Sequence, residues 1–207
     1  MSTRKKESLY LEQATTVIIP ANLETLRTQR LVLRPLEMTD APSIFDYRCR
    51  QDVADWLWPK IPHKDIKETE AVIASKTFQT LDASGALGRK FIFAIIPAND
   101  PNQRVIGAAG INALVPGPSI GYGIHPEFWG YGYATEAVQA LVDAWWKLPR
   151  ELPEQSRAAE TEKLYSACNK ANAGSTKVLL KTGFKIYEEI SVEDDVVALF
   201  EQERPRN

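Results

Sequence analysis

The sequence predicts a mixed α/β domain in which one sheet carries helices on both faces. Apolar runs of strand length alternate with amphipathic stretches of helical period, in the order β-α-α-β-β-β-α-β-α-β-β, with no internal repeat. The 207 residues, 44% of them hydrophobic, suffice for one buried core, whereas two halves would each be marginal. One domain is therefore expected over 27–207, preceded by an arm over 1–26.

Each element has its own signal. The arm opens on the charged run Arg4-Lys5-Lys6-Glu7 and contains Pro20, with Val17-Ile18-Ile19 able to dock. Leu31-Val32-Leu33-Arg34-Pro35 reads as a short strand closed by proline, after which Thr39 or Asp40 caps a helix carrying Ile44, Phe45 and Tyr47. Trp56-Leu57-Trp58-Pro59 is a loop, and Ile66, Val72, Ile73 and Phe78 mark a second helix over 65–81. Strands follow over 91–96, 105–114 and 119–124, the first two joined by the turn chemistry of Asn99-Asp100-Pro101-Asn102. The period then changes: Ala134, Ala137, Val138, Leu141, Val142 and Trp145 recur as one helix face, which stops before Pro149. Residues 150–162 are charged and read as a surface connection, and 164–168 as a strand. Asn172 caps a short helix carrying Val178, Leu179 and Leu180, and Gly183 sits where a helix end favours a left-handed residue. Strands over 184–190 and 196–200 complete the sheet.

Composition removes several classes of function. With 25 basic and 27 acidic residues the net charge is -2, without the global attraction to phosphate that nucleic-acid binding uses, so no nucleic-acid partner is expected. Cys49 and Cys168 cannot build a disulfide scaffold, and with two histidines they make no metal-site spacing, so no metal is expected. No apolar stretch approaches the ~18 residues of a membrane span, and 1–7 leads into no signal-type segment. A cytoplasmic protein without a membrane partner is expected.

The stretch 120–140 carries the chemistry. A strand runs through His125-Pro126 into Trp129-Gly130-Tyr131-Gly132-Tyr133-Ala134-Thr135 and directly into the amphipathic helix. Glycine allows unusual dihedrals and close approach, and the first helical amides lack intrahelical acceptors, so such a turn can bind a phosphate or pyrophosphate. Glycines that merely permit close packing would look the same. A dinucleotide fingerprint is disfavoured, because Thr135 holds the position of its third glycine and several strands precede the turn.

In combination, these segments resemble the GNAT N-acetyltransferases, in particular the subgroup that acetylates ribosomal-protein N-termini. Arg30-Leu31-Val32-Leu33-Arg34-Pro35 is similar to that subgroup's opening strand, and Ile120-Gly121-Tyr122-Gly123-Ile124 to its fourth. Phe128 to Ala137 is similar to its pyrophosphate loop and helix, and Asn169 to Ser175 with Val178 to Phe184 to its closing cofactor motif. The likeness covers about 28–190; Trp129 departs from the general family pattern, which has Arg or Gln there, although the subgroup commonly has Trp.

The resemblance implies a mostly antiparallel sheet whose fourth and fifth strands splay, with acetyl-CoA as cosubstrate in the gap. Ile124, Trp129, Gly130, Tyr131, Gly132, Tyr133, Ala134 and Thr135 would bind it, together with Asn169 or Asn172, each of which also reads as a turn or cap residue. Ser175 would protonate or hydrogen-bond the departing thiolate, or serve only as a helix-surface hydroxyl. The acetyl group would pass directly to a primary amine of a protein N-terminus, a peptide or a small molecule. His125, Glu127, Glu37 and Asp55 are candidates for the base, and Cys168 is the one plausible nucleophile of a covalent route. Trp56, Leu57 and Trp58 offer a substrate wall, and Glu188, Glu189, Glu193, Asp194 and Asp195 an attraction for cationic amines. A monomer or homodimer is expected; the alternative function is an acetyl-CoA-binding scaffold without turnover.

Overall fold

The computed structural model describes residues 10, 11, 13–151 and 162–205. Eight strands form one sheet in the order β1-β2-β3-β4-β5-β6-β8-β7. They are β1 (Leu26–Arg27), β2 (Leu31–Pro35), β3 (Ile92–Pro97), β4 (Gly107–Ala113), β5 (Ser119–Ile124), β6 (Lys163–Asn169), β7 (Lys185–Val192) and β8 (Asp195–Glu203). The helices are α1 (Ala41–Arg48), α2 (Gln51–Ala54), α3 (Ile66–Ala74), α4 (Tyr133–Lys147) and α5 (Ala173–Lys181). Neighbouring strands are antiparallel except β5 and β6, which are parallel.

The continuous apolar run of β3 follows from burial on both faces. Phe91, Phe93 and Ile95 join the core beneath α4, while Ile92, Ala94 and Ile96 join a second core with Ile44 and Tyr47 of α1. The same division explains why the second helix is shorter than its periodicity suggests. Ile73 packs on the α1 side and Phe78 on the α4 side, so 65–81 merges two elements that serve opposite faces of the sheet. The helix ends at Ala74, and beyond it the Phe78 amide donates to the Arg89 carbonyl at 2.7 Å.

Asp65, where the second helix is expected to begin, caps α3 by accepting from the Glu68 amide. Asp40 does not cap α1 with its side chain. Arg34 donates to both of its oxygens, at 2.8 and 2.6 Å, and the Glu37 amide adds a third bond. These contacts close a 3-10 turn, Met38–Asp40, ahead of α1.

Of the arm expected at 1–26, residues 1–9 and 12 lie outside the described residues, as do 152–161 of the surface connection. Val17 and Ile19 are buried in the α4-side core, and the Ile18 amide donates to the Pro149 carbonyl. β1 is an additional short strand at the junction, pairing with β2.

β5 and β6 register at one position, Ser119↔Tyr165, fastened by the Tyr165 amide on the Pro118 carbonyl and the Ser166 hydroxyl on the Ile120 carbonyl. Beyond that vertex the two strands separate, which is the splay expected of the fourth and fifth main strands.

Candidate active site

Backbone groups alternate sides along a strand, so the amides and carbonyls of Tyr122 and Ile124 point the same way as those of Ile120, into the gap opened by β6. Because β5 and β6 are parallel, α4 and α5 both begin at the open end of this gap. Two helix N-termini, each with partial positive charge, therefore flank its mouth.

The turn into α4 is built for exposed amides. Gly130 has φ 82° and Gly132 φ 80°, and a Cβ at Gly130 would meet nothing within 4 Å. The glycines supply left-handed backbone rather than close packing. The first helical bond runs from the Glu136 amide to the Gly132 carbonyl, and the amides of 130–135 have no acceptor among the described residues. The Trp129 amide differs from expectation: a 3-10 turn, Pro126–Phe128, draws it onto the Pro126 carbonyl at 3.0 Å. The Trp129 indole donates to the Ile124 carbonyl at 2.6 Å, leaving the Ile124 amide as that residue's group toward the gap.

Two residues to which the sequence reading assigned no role brace this turn. Arg30, at the start of β2, donates to the Tyr131 carbonyl at 2.9 Å and pairs with Glu136 of α4 at 2.7 Å. Glu136 also accepts from the Thr28 hydroxyl and the Arg30 amide. Burial alone would raise its carboxyl pKa, but these hydrogen bonds and the Arg30 charge hold it below the ordinary value. Both residues stand in the recognised segments, yet a separation of 106 positions conceals their pairing.

On the other flank, the Asn172 side-chain oxygen accepts from the Ser175 amide at 2.9 Å, capping α5 and leaving its NH2 group without a partner among the described residues. Asn169 is more committed, its oxygen accepting from the Ala171 amide and its nitrogen donating to Asp195. Ser175 lies in the first turn of α5, and its hydroxyl has no partner among the described residues. The Tyr122 hydroxyl crosses from β5 and donates to the Ser175 carbonyl at 3.2 Å, spanning the two flanks. Burial raises its pKa, so it stays a neutral donor. The Cys168 thiol is likewise raised by burial, which disfavours the thiolate a covalent route needs.

His125 is buried with both ring nitrogens engaged. Nδ1 accepts from the Glu127 amide at 3.2 Å, and Nε2 lies 3.4 Å from an Asp46 oxygen. The lone pair a general base would use is therefore occupied. Glu127 pairs with Arg104, Glu37 closes the 3-10 turn, and Asp55 accepts from Gln51. Trp56 and Trp58 are exposed rather than packed, while Leu57 packs into the α1-side core. Lys60, two residues on, reaches Asp195 at 2.6 Å, and Lys170 takes Glu189 at 2.6 Å, so part of the acidic cluster is neutralised. No group of three or more metal-ligating side chains occurs among the described residues, and no helix there is long and apolar enough to cross a membrane.

Comparison with known proteins agrees with this geometry. Residues 30–185 match the acetyltransferase (GNAT) domain family. The chain is 32% identical over 124 residues to an uncharacterized N-acetyltransferase, p20, of Bacillus licheniformis; the match spans 58% of this chain and 65% of that protein, just under two thirds of its length. An acetyltransferase from Agrobacterium tumefaciens superposes with a TM-score of 0.61 at 25% identity, over 94% of this chain and 98% of its own. RimL, a ribosomal L7/L12 α-N-protein acetyltransferase crystallised with coenzyme A, shares the fold with a TM-score of 0.63 at 17% identity, over 87% and 98% of the two chains. The chain belongs to the GNAT acetyltransferase family.

Proposed function

We propose that this protein is an acetyl-CoA-dependent N-acetyltransferase that moves an acetyl group directly to a primary amine. The observation carrying the reading is the run of unclaimed amides over 130–135 at the mouth of a gap between β5 and β6. These groups fit acetyl-CoA: the amides match a pyrophosphate, and the free edge of β5 matches amide groups that pair as an added strand would. Gly130 to Thr135 would hold the phosphates, and the Tyr122 and Ile124 backbone with the Asn172 amide would hold the pantetheine arm. Bound there, the cosubstrate supplies an activated acetyl thioester.

The protein's own contribution is placement and charge. Positioning two reactants is worth about 7–11 kcal/mol, against roughly 3–5 kcal/mol for one general acid. The Ser175 hydroxyl, at a helix N-terminus, is placed to stabilise the departing thiolate. The thiol of Cys168, kept protonated by burial, takes no part. The amine acceptor, a peptide or small molecule, arrives from the face opposite α4. The test is release of free CoA thiol from acetyl-CoA with a panel of amines, alongside melting temperature with and without acetyl-CoA. Amine-dependent thiol release is expected; stabilisation without release from any amine would overturn the catalytic reading and leave a binding module.

A further inference from the structure

On the face of the sheet opposite α4, two half-buried cations lie beside β5 without a counterion among the described residues. Ile120, Tyr122 and Ile124 face the α4 core, so strand alternation turns Gly121 and Gly123 to the α1 and α3 side. Neither carries a side chain there, and polar side chains pack over both positions.

Asn112 sits at the irregularity where the β4–β5 register shifts, and a side chain at Gly121 would collide with its amide. Its oxygen accepts from the Lys76 ammonium at 2.8 Å. Over Gly123 stands the Tyr47 ring, its hydroxyl 3.8 Å from where a Cβ would be. Tyr47 is 4% exposed, and its hydroxyl has no hydrogen-bond partner among the described residues. Next to it on α1, Arg48 donates to His63 Nε2 from Nε at 3.3 Å and approaches it from Nη2 at 3.1 Å. The other His63 nitrogen, Nδ1, meets the buried Thr69 hydroxyl at 2.7 Å.

Charge accounting makes this cluster unusual. Neither Arg48 nor Lys76 has a carboxylate in ion-pair range among the described residues. Arg48 is matched by an imidazole that burial and the Arg48 charge hold neutral, and Lys76 by a carboxamide. Glu68, the carboxylate that acts on His63, accepts from the Lys64 amide and makes no ion pair with either cation among the described residues. Burial acts against both cations, and the Arg48 charge acts further against Lys76, a cost that a bound anion would reduce.

Resting on the acetyltransfer reading, we infer that Arg48 and Lys76, on the α1 and α3 face of β5, bind an anionic group of the amine acceptor, a carboxylate or a phosphate. The neutral Tyr47 hydroxyl supplies a further donor. The acidic β7–β8 turn, partly spent on Lys60 and Lys170, does not set the preference.

The experiment compares matched acceptors: α-amino acids with their α-carboxamides, phosphoethanolamine with ethanolamine, and an Asp-bearing tetrapeptide with its Asn counterpart. In at least one pair the anionic member should have a tenfold or higher kcat/KM, equivalent to about 1.4 kcal/mol. The favoured pair identifies the source of the anion. Lys76→Gln, which can keep the bond to Asn112, should reduce that preference to about twofold while acetyl-CoA stabilisation stays intact, and Arg48→Gln should do the same. Equal turnover of the members of every pair, or equal loss of both members in Lys76→Gln, would overturn the site. Binding is read separately in the CoA-loaded protein, where the anionic member alone should raise the melting temperature. If no acceptor releases thiol but that shift appears, acetyltransfer fails and the anion site stands; if CoA stabilises and no acceptor shifts melting, the anion site fails.

Discussion

In the proposed acetyltransfer, Ser175 and Glu136 would contribute in different ways, and single substitutions separate them. Ser175→Ala removes a hydroxyl with no structural partner, so acetyl-CoA stabilisation should be unchanged while kcat falls by about 10² or more, within the range of a positioned acid. An unaltered kcat would reduce Ser175 to a helix-surface hydroxyl. Glu136 instead holds the turn through Thr28 and Arg30, and its depressed pKa makes that contribution pH-dependent. The stabilisation is present above the ordinary carboxyl value of 4.5 and is lost as pH falls through the lower folded value. Thermal melts from about pH 6 to about pH 3 should therefore show a steeper fall for the wild type than for Glu136→Gln, and parallel curves would contradict it. His125 marks the limit of residue-level reading: beside a glycine-rich loop it resembles a base, yet the turn it caps and the Asp46 carboxylate use both of its nitrogens.

At the scale of elements, the turn between β5 and α4 combines two left-handed glycines with amides over 130–135 that have no acceptor among the described residues. Gly132→Trp forces a side chain onto φ 80°, where an L-residue loses roughly 1–2 kcal/mol, and fills the space an anion needs. It should abolish acetyl-CoA-dependent stabilisation in a differential melt while the protein still folds; a retained shift would remove the phosphate role from this turn. Helix ends read well where a cap has a sequence sign, as at Asp65, Asn172 and Gly183. They read poorly at 65–81, where one apolar period spans a helix and the segment after it on opposite faces of the sheet.

Across the whole molecule, the segment before β1 belongs to the same core as the sheet. Ile19 is 1% exposed and its amide donates to Asp82, 63 positions away. Ile19→Ala should cost about 2–5 kcal/mol in chemical denaturation, as a buried aliphatic truncation does, and a cost near zero would mark the segment as dispensable. Global charge is equally uninformative about local charge: a net -2 conceals a basic pair, Arg48 and Lys76, with no ion-pair partner among the described residues, and a partly neutralised acidic turn at Glu189 and Asp195.

Local rules in the sequence determine the strand and helix order, the glycine turn, the Asn172 cap and hence the family, because each depends on dihedral preference or short-range period. Tertiary structure alone decides the single β5–β6 register that opens the gap, the Arg30–Glu136 brace, and the placing of Tyr47 over Gly123 and of Asn112, with Lys76, over Gly121. Each of these joins groups far apart in the chain, where pairing is set by packing and solvation rather than by any pattern along it.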